Sequence, residues 1–217
     1  MNKEKAQLMQ KEVCNIAQKM YHSGLVAGTW GNISARIDED YMVITPSGMD
    51  YERLCPKEMV VVNMHDQTYE GKLKPSIEAI VHARIYLNRP EANGIMHTHS
   101  TNALTVATAR KGLPPICDDQ VQILGGDVRL APYTMPSSEE MAVEVTKALD
   151  GRMGALIANH GAITIGRDLN EAFIGSQVLE KTATIYLGTQ CIGGPVEISK
   201  EDCEFFHEFF LHKYGQK

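Results

Sequence analysis

Helix-like and strand-like segments follow one another irregularly along this chain, and their order constrains the fold more than any single motif. Residues 3–23 carry apolar side chains at helical spacing. Strand-like segments follow near 33–37, 41–45 and 59–63, and further strand-like and helical segments come after them in mixed order. The chain ends with a long helix at 170–187 and a last helix rich in phenylalanine. Because strand, helix and strand do not alternate strictly, we predict one layered α/β domain, residues 1–217, with a mixed sheet.

Composition excludes several classes of function. The formal net charge of -6 at pH 7 and the lack of a lysine and arginine cluster argue against nucleic-acid binding. No apolar run reaches the length that crosses a membrane, and the amino terminus lacks the apolar segment of a signal peptide. Five cysteines, an odd number without Cys-x-x-Cys spacing, disfavour a disulfide framework. We therefore expect a reduced, cytoplasmic protein that binds neither nucleic acid nor membrane.

Two histidines one residue apart, His97 and His99, follow a short apolar run that begins at Gly94. Side chains on a strand alternate, so both imidazoles point to the same face. Such a pair is one way to begin a metal site, which needs three or four ligands in all. The alternative is a surface strand with two outward polar positions. The metal hypothesis therefore depends on a further ligand from elsewhere in the chain.

His160 is the natural candidate for a third imidazole. The short apolar strand at 155–158 runs into Asn159-His160-Gly161, which places this histidine at the end of a strand. A side chain there can lean over the edge of the sheet.

Several other polar segments have two interpretations. The small residues from Gly31 to Ser34 and from Thr45 to Gly48 would let backbone N–H groups approach a phosphate, but they also suit ordinary turns. Glu78 lies in the first turn of a helix that Ser76 opens, where the helix dipole favours a carboxylate in any case. We assign His82 a structural role. The adjacent Asp118 and Asp119 either serve a site or solvate a loop.

Five short motifs in a fixed order connect these segments, namely Gly31-Asn32-Ile33-Ser34, Thr45-Pro46-Ser47-Gly48, Pro75-Ser76-Ile77-Glu78, His97-Thr98-His99 and Asn159-His160-Gly161. The series resembles the class II aldolase/adducin family, especially its L-fuculose-1-phosphate aldolases, and the likeness extends over essentially the whole chain. The resemblance implies a three-layer α/β/α domain around a mixed, mostly antiparallel sheet. It also implies a homotetramer with active sites between subunits.

The resemblance also implies the roles of individual residues. His97, His99 and His160 match the family's zinc ligands, although Mn²⁺, Co²⁺ or Fe²⁺ would suit the same donors. Glu78 matches the catalytic carboxylate, which can also approach the metal. The substrate phosphate is expected to contact the turns that contain Gly31, Asn32, Ser47, Gly48, Ser76 and Ile77. Tyr214 matches a tyrosine that reaches the active site of a neighbouring subunit, and Asp118 is a candidate acid near the aldehyde.

The implied function is a metal-dependent aldolase. It would cleave a ketose 1-phosphate, such as L-fuculose 1-phosphate, to dihydroxyacetone phosphate and an aldehyde through an enediolate whose charge the metal offsets. On the same site, the alternatives are a decarboxylase or dehydratase of a phosphorylated keto acid or sugar, and a pentulose-phosphate 4-epimerase. A non-catalytic adducin-like interaction domain is the remaining alternative, and the retained histidines and Glu78 argue against it.

Some positions depart from the family's sugar-phosphate aldolases. Ile77 replaces a second serine at the phosphate site, so only its backbone N–H is left to make a contact. Asp118 lies near the position of a family tyrosine and is a different acid. Pro136 and Leu211 stand where phenylalanines line the aldehyde pocket. The sequence therefore predicts the metal and phosphate half of the site more closely than the aldehyde half.

Overall fold

A seven-stranded sheet is the centre of the computed structural model, which describes residues 2–216. Both end residues of the predicted domain, Met1 and Lys217, therefore lie outside the described residues. The strands are β1 (Asn32–Arg36), β2 (Tyr41–Ile44), β3 (Val60–Asn63), β4 (Gly94–Thr98), β5 (Arg129–Ala131), β6 (Gly154–Ile157) and β7 (Gly161–Gly166). Their order across the sheet is β3-β2-β1-β4-β7-β6-β5. Neighbouring strands are antiparallel except β5 and β6, so the predicted mixed, mostly antiparallel sheet is confirmed.

Helices cover both faces of this sheet. They are α1 (Lys3–His22), α2 (Ala79–Asn88), α3 (Thr101–Thr108), α4 (Asp118–Leu124), α5 (Glu139–Ala148), α6 (Leu169–Thr189) and α7 (Lys200–Lys213). Helices α2 and α5 pack on one face, where Ile95 and Ile165 are fully buried. Helices α1, α3, α4 and α6 pack on the other face, around Ile33, Met96 and Leu156. The fold is therefore the predicted three-layer α/β/α arrangement.

Strand β7 and helix α4 differ from the sequence prediction. We predicted no strand between residue 158 and the helix near 170, yet β7 pairs with both β4 and β6. Its β-branched run from Ile163 to Ile165 was the available signal. The segment with Asp118 and Asp119 is not a loop but the first turn of α4, where the helix dipole favours carboxylates.

The start of α2 also differs from the prediction and matters for the site. We expected Ser76 as the N-cap, but Glu78 occupies that position and its side chain caps nothing. The Ser76 hydroxyl instead accepts a hydrogen bond from the N–H of Glu78 at 3.3 Å. Because Glu78 is not used in capping, its carboxylate is available to the neighbouring strands.

Helix α7 packs against α4 and leaves aromatic side chains at the surface. Phe205 is 63% exposed and Phe209 40% exposed, whereas Phe206 and Phe210 are partly covered. The sequence predicts packing of this helix between layers or against another subunit, and the exposed rings leave the second possibility open. Among the described residues, no helix combines the length and the apolar character needed to span a bilayer.

Candidate active site

Three histidines from two neighbouring strands converge at one end of the sheet. His97 lies on β4 and His99 directly follows it, so strand alternation directs both rings to the same side. His160 lies in the turn between β6 and β7, and the pairing of β7 with β4 brings it beside them. The Nε2 atom of His97 lies 2.9 Å from that of His99 and 3.3 Å from that of His160. His97 is buried, so the alternative of an outward-facing surface strand is wrong.

The chemistry of the three rings fits a divalent metal ion. Nδ1 of His97 lies 2.9 Å from the carbonyl oxygen of Ala162, to which it donates, so its Nε2 keeps a lone pair for a ligand. Burial lowers the pKa of His97, and it lowers the pKa of His99 to about 3, so removal from water favours the neutral form of both rings. One nitrogen from each of the three histidines lies within 4.8 Å of the others. Neutral imidazoles at this spacing are the donors that such ions prefer.

Glu78 lies over the same cluster. Its Oε2 is 3.3 Å from Nε2 of His97, and its Oε1 is 3.0 Å from Nε2 of His160. The side-chain amide of Asn32 donates to Oε2 at 2.7 Å. Burial alone would raise the pKa of this carboxyl, but the histidines and the Asn32 amide outweigh it and hold the pKa well below its usual range. Glu78 is therefore ionised at neutral pH in the metal-free protein.

A cavity of about 520 Å³ joins this cluster to the turns of small residues. Glu78, His99 and His160 line it, and so do all six residues predicted to surround a phosphate, Gly31, Asn32, Ser47, Gly48, Ser76 and Ile77. Pro136 lines it as well, but Leu211 does not. The fold therefore brings together the predicted metal and phosphate residues of one chain.

Asp118 and Tyr214 lie elsewhere. Asp118 is an exposed residue in the first turn of α4 and does not line the cavity. Tyr214 follows α7, is 62% exposed and lines a different cavity beside Asp119 and Arg167. A role for Tyr214 at the histidine cluster would therefore have to come from another copy of the chain. The catalytic roles of both residues stay predictions.

Two aromatic residues of the cavity were not singled out from the sequence. Trp30, the chain's one tryptophan, is 68% exposed and its ring stacks on His99 with centroids 6.0 Å apart. Tyr133 also lines the cavity and lies just after β5 in the chain. The available signal was position, since Trp30 precedes the Gly31 motif directly. Tyr133 had no comparable signal.

Acid is expected to destabilise the metal-free protein because His82 is buried without charge. Its Nδ1 lies 2.6 Å from the Ser34 hydroxyl, and burial lowers its pKa from 6.5 to about 3. Between these pH values the unfolded chain binds a proton that the folded chain lacks. The free energy of unfolding therefore falls as the pH falls, by up to about 1.4 kcal/mol per pH unit for this group.

Urea unfolding measured between pH 7 and pH 4 would test this expectation. His82→Asn should flatten the pH dependence, whereas His65→Ala, at an exposed histidine, should leave it unchanged. Equal slopes in the wild type and His82→Asn would contradict the explanation.

The sequence model for the class II aldolase and adducin N-terminal domain matches residues 11–187. The chain belongs to the class II aldolase and adducin family. The resemblance predicted from the five motifs is thereby confirmed.

Relatives of this class II aldolase family enzyme share its length and fold. It is 34% identical over 214 residues to the 5-deoxy-D-ribulose 1-phosphate aldolase of Bacillus thuringiensis serovar kurstaki, which covers 97% of this chain and 100% of the relative. The 3-oxo-tetronate 4-phosphate decarboxylase of Haemophilus influenzae is 32% identical over 190 residues, covering 84% and 89%. A solved L-fuculose 1-phosphate aldolase superposes with a TM-score of 0.89 at 32% identity, covering 94% and 96%. The relatives differ in substrate and reaction.

Proposed function

We propose that this protein is a metal-dependent aldolase that cleaves a ketose 1-phosphate to dihydroxyacetone phosphate and an aldehyde. The observation that carries the proposal is the shared cavity, in which Glu78 and the histidines adjoin turns of small residues. A phosphorylated sugar has its anion and its reactive carbons close together, as this arrangement requires. The 34% identity to an aldolase for a deoxypentulose 1-phosphate supports the same substrate class.

His97, His99 and His160 would hold the metal ion, with Zn²⁺ the first expectation and Mn²⁺, Co²⁺ or Fe²⁺ compatible with the same donors. A bound divalent cation supplies positive charge that polarises the substrate carbonyl and offsets the negative charge left on the three-carbon product. The protein contributes the fixed directions of the rings. The Ala162 carbonyl accepts the Nδ1 proton of His97 and so directs Nε2 toward the site.

Glu78 would transfer the proton at the reacting carbon. Cleavage breaks the C3–C4 bond, between the carbon next to the C2 carbonyl and the carbon beyond it. The hydroxyl on C4 loses its proton as the aldehyde forms, and C3 of the phosphate half gains one. An ionised carboxylate has to acquire a proton before it can deliver one, so Glu78 serves first as base and then as acid. Asn32 holds Oε2 by its amide, which fixes the carboxylate during both steps.

The small-residue turns would bind the phosphate. The hydroxyls of Ser47 and Ser76 lie in segments that line the cavity, together with the backbone of Gly31 and Gly48. The N–H groups of the two serines already donate to backbone carbonyls, so their hydroxyls are the expected contacts. Binding energy from the phosphate positions the carbon that reacts and adds no charge at the reaction centre. The exposed side chain of Ile77 leaves its backbone N–H as the expected contact.

The proposed assembly is a homotetramer with sites completed between subunits. Tyr214 supports this proposal because it is exposed and does not line the cavity beside the histidines of its own chain. In a neighbouring copy it would meet the aldehyde half of the substrate, for which Asp118 is the other candidate.

Decarboxylation of a phosphorylated keto acid is the second candidate function. It would use the same anion site and the same stabilisation of negative charge next to a carbonyl. The 32% identity to a 3-oxo-tetronate 4-phosphate decarboxylase favours it over dehydration or epimerisation, which remain further alternatives. A non-catalytic interaction role is the least favoured alternative because it has no use for the histidine and glutamate cluster.

The experiment that tests the first candidate is a substrate screen. The metal-loaded enzyme is incubated with ketose 1-phosphates, including L-fuculose 1-phosphate and 5-deoxy-D-ribulose 1-phosphate, and dihydroxyacetone phosphate is trapped by enzymatic reduction. We expect release of dihydroxyacetone phosphate from at least one of them and none from the chelator-treated protein. Release of CO₂ from phosphorylated keto acids, without dihydroxyacetone phosphate from any ketose, would replace the first candidate by the second.

A further inference from the structure

A hydrogen-bonded chain behind the cavity connects the turns of small residues. Tyr51 is buried, and its hydroxyl donates to the carbonyl of Gly31 at 2.6 Å. The hydroxyl oxygen of Thr45 accepts a hydrogen bond from the backbone N–H of Ile33, two residues after Gly31, at 3.2 Å.

The backbone of Thr45 extends the same network to the third turn. Its N–H donates to the carbonyl of Ile33 at 3.0 Å, and its carbonyl accepts from the N–H of Ser76 at 3.0 Å. Thr45 therefore contacts the Gly31 turn and the Ser76 turn, and it directly precedes the turn that contains Ser47 and Gly48. Neither Thr45 nor Tyr51 lines the cavity.

Gly31 packs too closely against its neighbours to carry a side chain. Its backbone φ is +81°, and a Cβ atom there would lie 2.6 Å from Cγ1 of Val26 and 2.7 Å from the carbonyl oxygen of His97. The Gly31 peptide is thus held between the Tyr51 hydroxyl and the backbone of a histidine of the cluster. Its position sets how far the anion-binding turns stand from the metal-binding residues.

We propose that Tyr51 and Thr45 are positioning residues that hold the three anion-binding turns in register with the histidine cluster. They act through Gly31, Ile33 and Ser76 and touch neither the phosphate nor the reacting carbons. The inference rests on the proposed function only in taking the anion to be the phosphate of the substrate. Inorganic phosphate therefore serves as a probe that needs no turnover.

The first test is Tyr51→Phe, which removes the hydroxyl and keeps the ring. Loss of one buried hydrogen bond, with Gly31 left unpaired, is expected to weaken phosphate binding about tenfold in calorimetry. KM for the ketose phosphate should rise by about the same factor, with kcat within about twofold. Tyr21→Phe is the matched control. The ring of Tyr21 stacks on that of Tyr51 with centroids 6.3 Å apart, but the hydroxyl that donates to Gly31 belongs to Tyr51. It should bind phosphate as the wild type does.

Two variants of Thr45 give an independent check. Thr45→Val removes the hydroxyl at nearly constant volume and should weaken phosphate binding, whereas Thr45→Ser keeps the hydroxyl and should restore it. A purely structural role would instead lower the melting temperature of Tyr51→Phe and Thr45→Val while leaving phosphate affinity unchanged, and that result would overturn the proposal. If Ser76→Ala binds phosphate as tightly as the wild type does, the phosphate binds elsewhere, and this result would also overturn the proposal.

Failure of the proposed function would look different. A wild-type protein that binds phosphate and loses this affinity in Tyr51→Phe, but cleaves no ketose phosphate, would refute the aldolase and support the positioning role.

Discussion

Replacing His97 by alanine is expected to lower metal affinity by more than about a hundredfold and to abolish lyase activity. Changing a group that merely supports a metal ligand usually costs about 10–100-fold in affinity, so removing a direct ligand should cost more. His97 is the central residue of the cluster, since its Nε2 lies within 3.3 Å of both neighbouring imidazoles. The metal-to-protein ratio after dialysis, measured by atomic emission, checks the expectation. Quenching of Trp30, which stacks on His99, gives a second readout in solution.

The matched control is His65→Ala, which removes an exposed histidine that pairs with Asp40. It should retain metal and activity. Full metal occupancy in His97→Ala would show that the cluster is not the metal site, whatever happened to the activity.

Replacing Glu78 by glutamine is expected to lower kcat by about 10²–10⁴-fold, the usual contribution of a positioned acid–base group. Glutamine has nearly the same shape and can still accept the hydrogen bond from Asn32, but it cannot exchange a proton with the substrate. KM and inorganic phosphate affinity should therefore change little, because the phosphate-binding turns are intact. Steady-state kinetics together with calorimetry on the same preparation test this expectation.

Metal content separates the two roles that the sequence predicts for Glu78. If Glu78→Gln loses both metal and activity, the carboxylate serves as a ligand and not mainly as an acid–base group. Glu144, which pairs with Lys147 at the surface, provides the control. Glu144→Gln should leave both kcat and metal content unchanged.

The layered sheet was predictable because local patterns decide most of it. The short apolar or alternating runs of β1, β2 and β4 and the apolar spacing of α1 depend on neighbours in sequence, and these elements lie close to where they were expected. Strand β7 was missed although it is an apolar run buried on both faces, as β4 and β6 are, and its β-branched residues marked it as a strand. The acidic start of α4 was left open between a site and a loop because its N-cap, Cys117, makes no side-chain capping hydrogen bond and is not a residue type that marks a helix start.

The residues of the candidate site also differed in whether local sequence patterns were enough to predict their positions. Placing His97 and His99 on one face needed only the two-residue period of a strand. Glu78 could be a helix cap or a site residue on sequence grounds, and the contacts with Asn32, His97 and His160 decide that its carboxylate faces the cluster. Nothing in the sequence singled out Tyr51, whose contact with Gly31 forms only when the chain folds back on itself.

The sequence by itself determined the family, the three layers and the kind of chemistry, because five ordered motifs and a strand period are properties of the chain alone. The tertiary structure decided which of these residues meet. The pairing of β4 with β1 and β7 brings Asn32, His97 and His160 together from three separate segments. Residues that are remote in sequence come into contact only when the strands that carry them pair. The energy of burying a charged or aromatic side chain depends on the residues that this pairing places around it. His97 and His99 were therefore visible as a pair, but only the folded sheet made them part of a site.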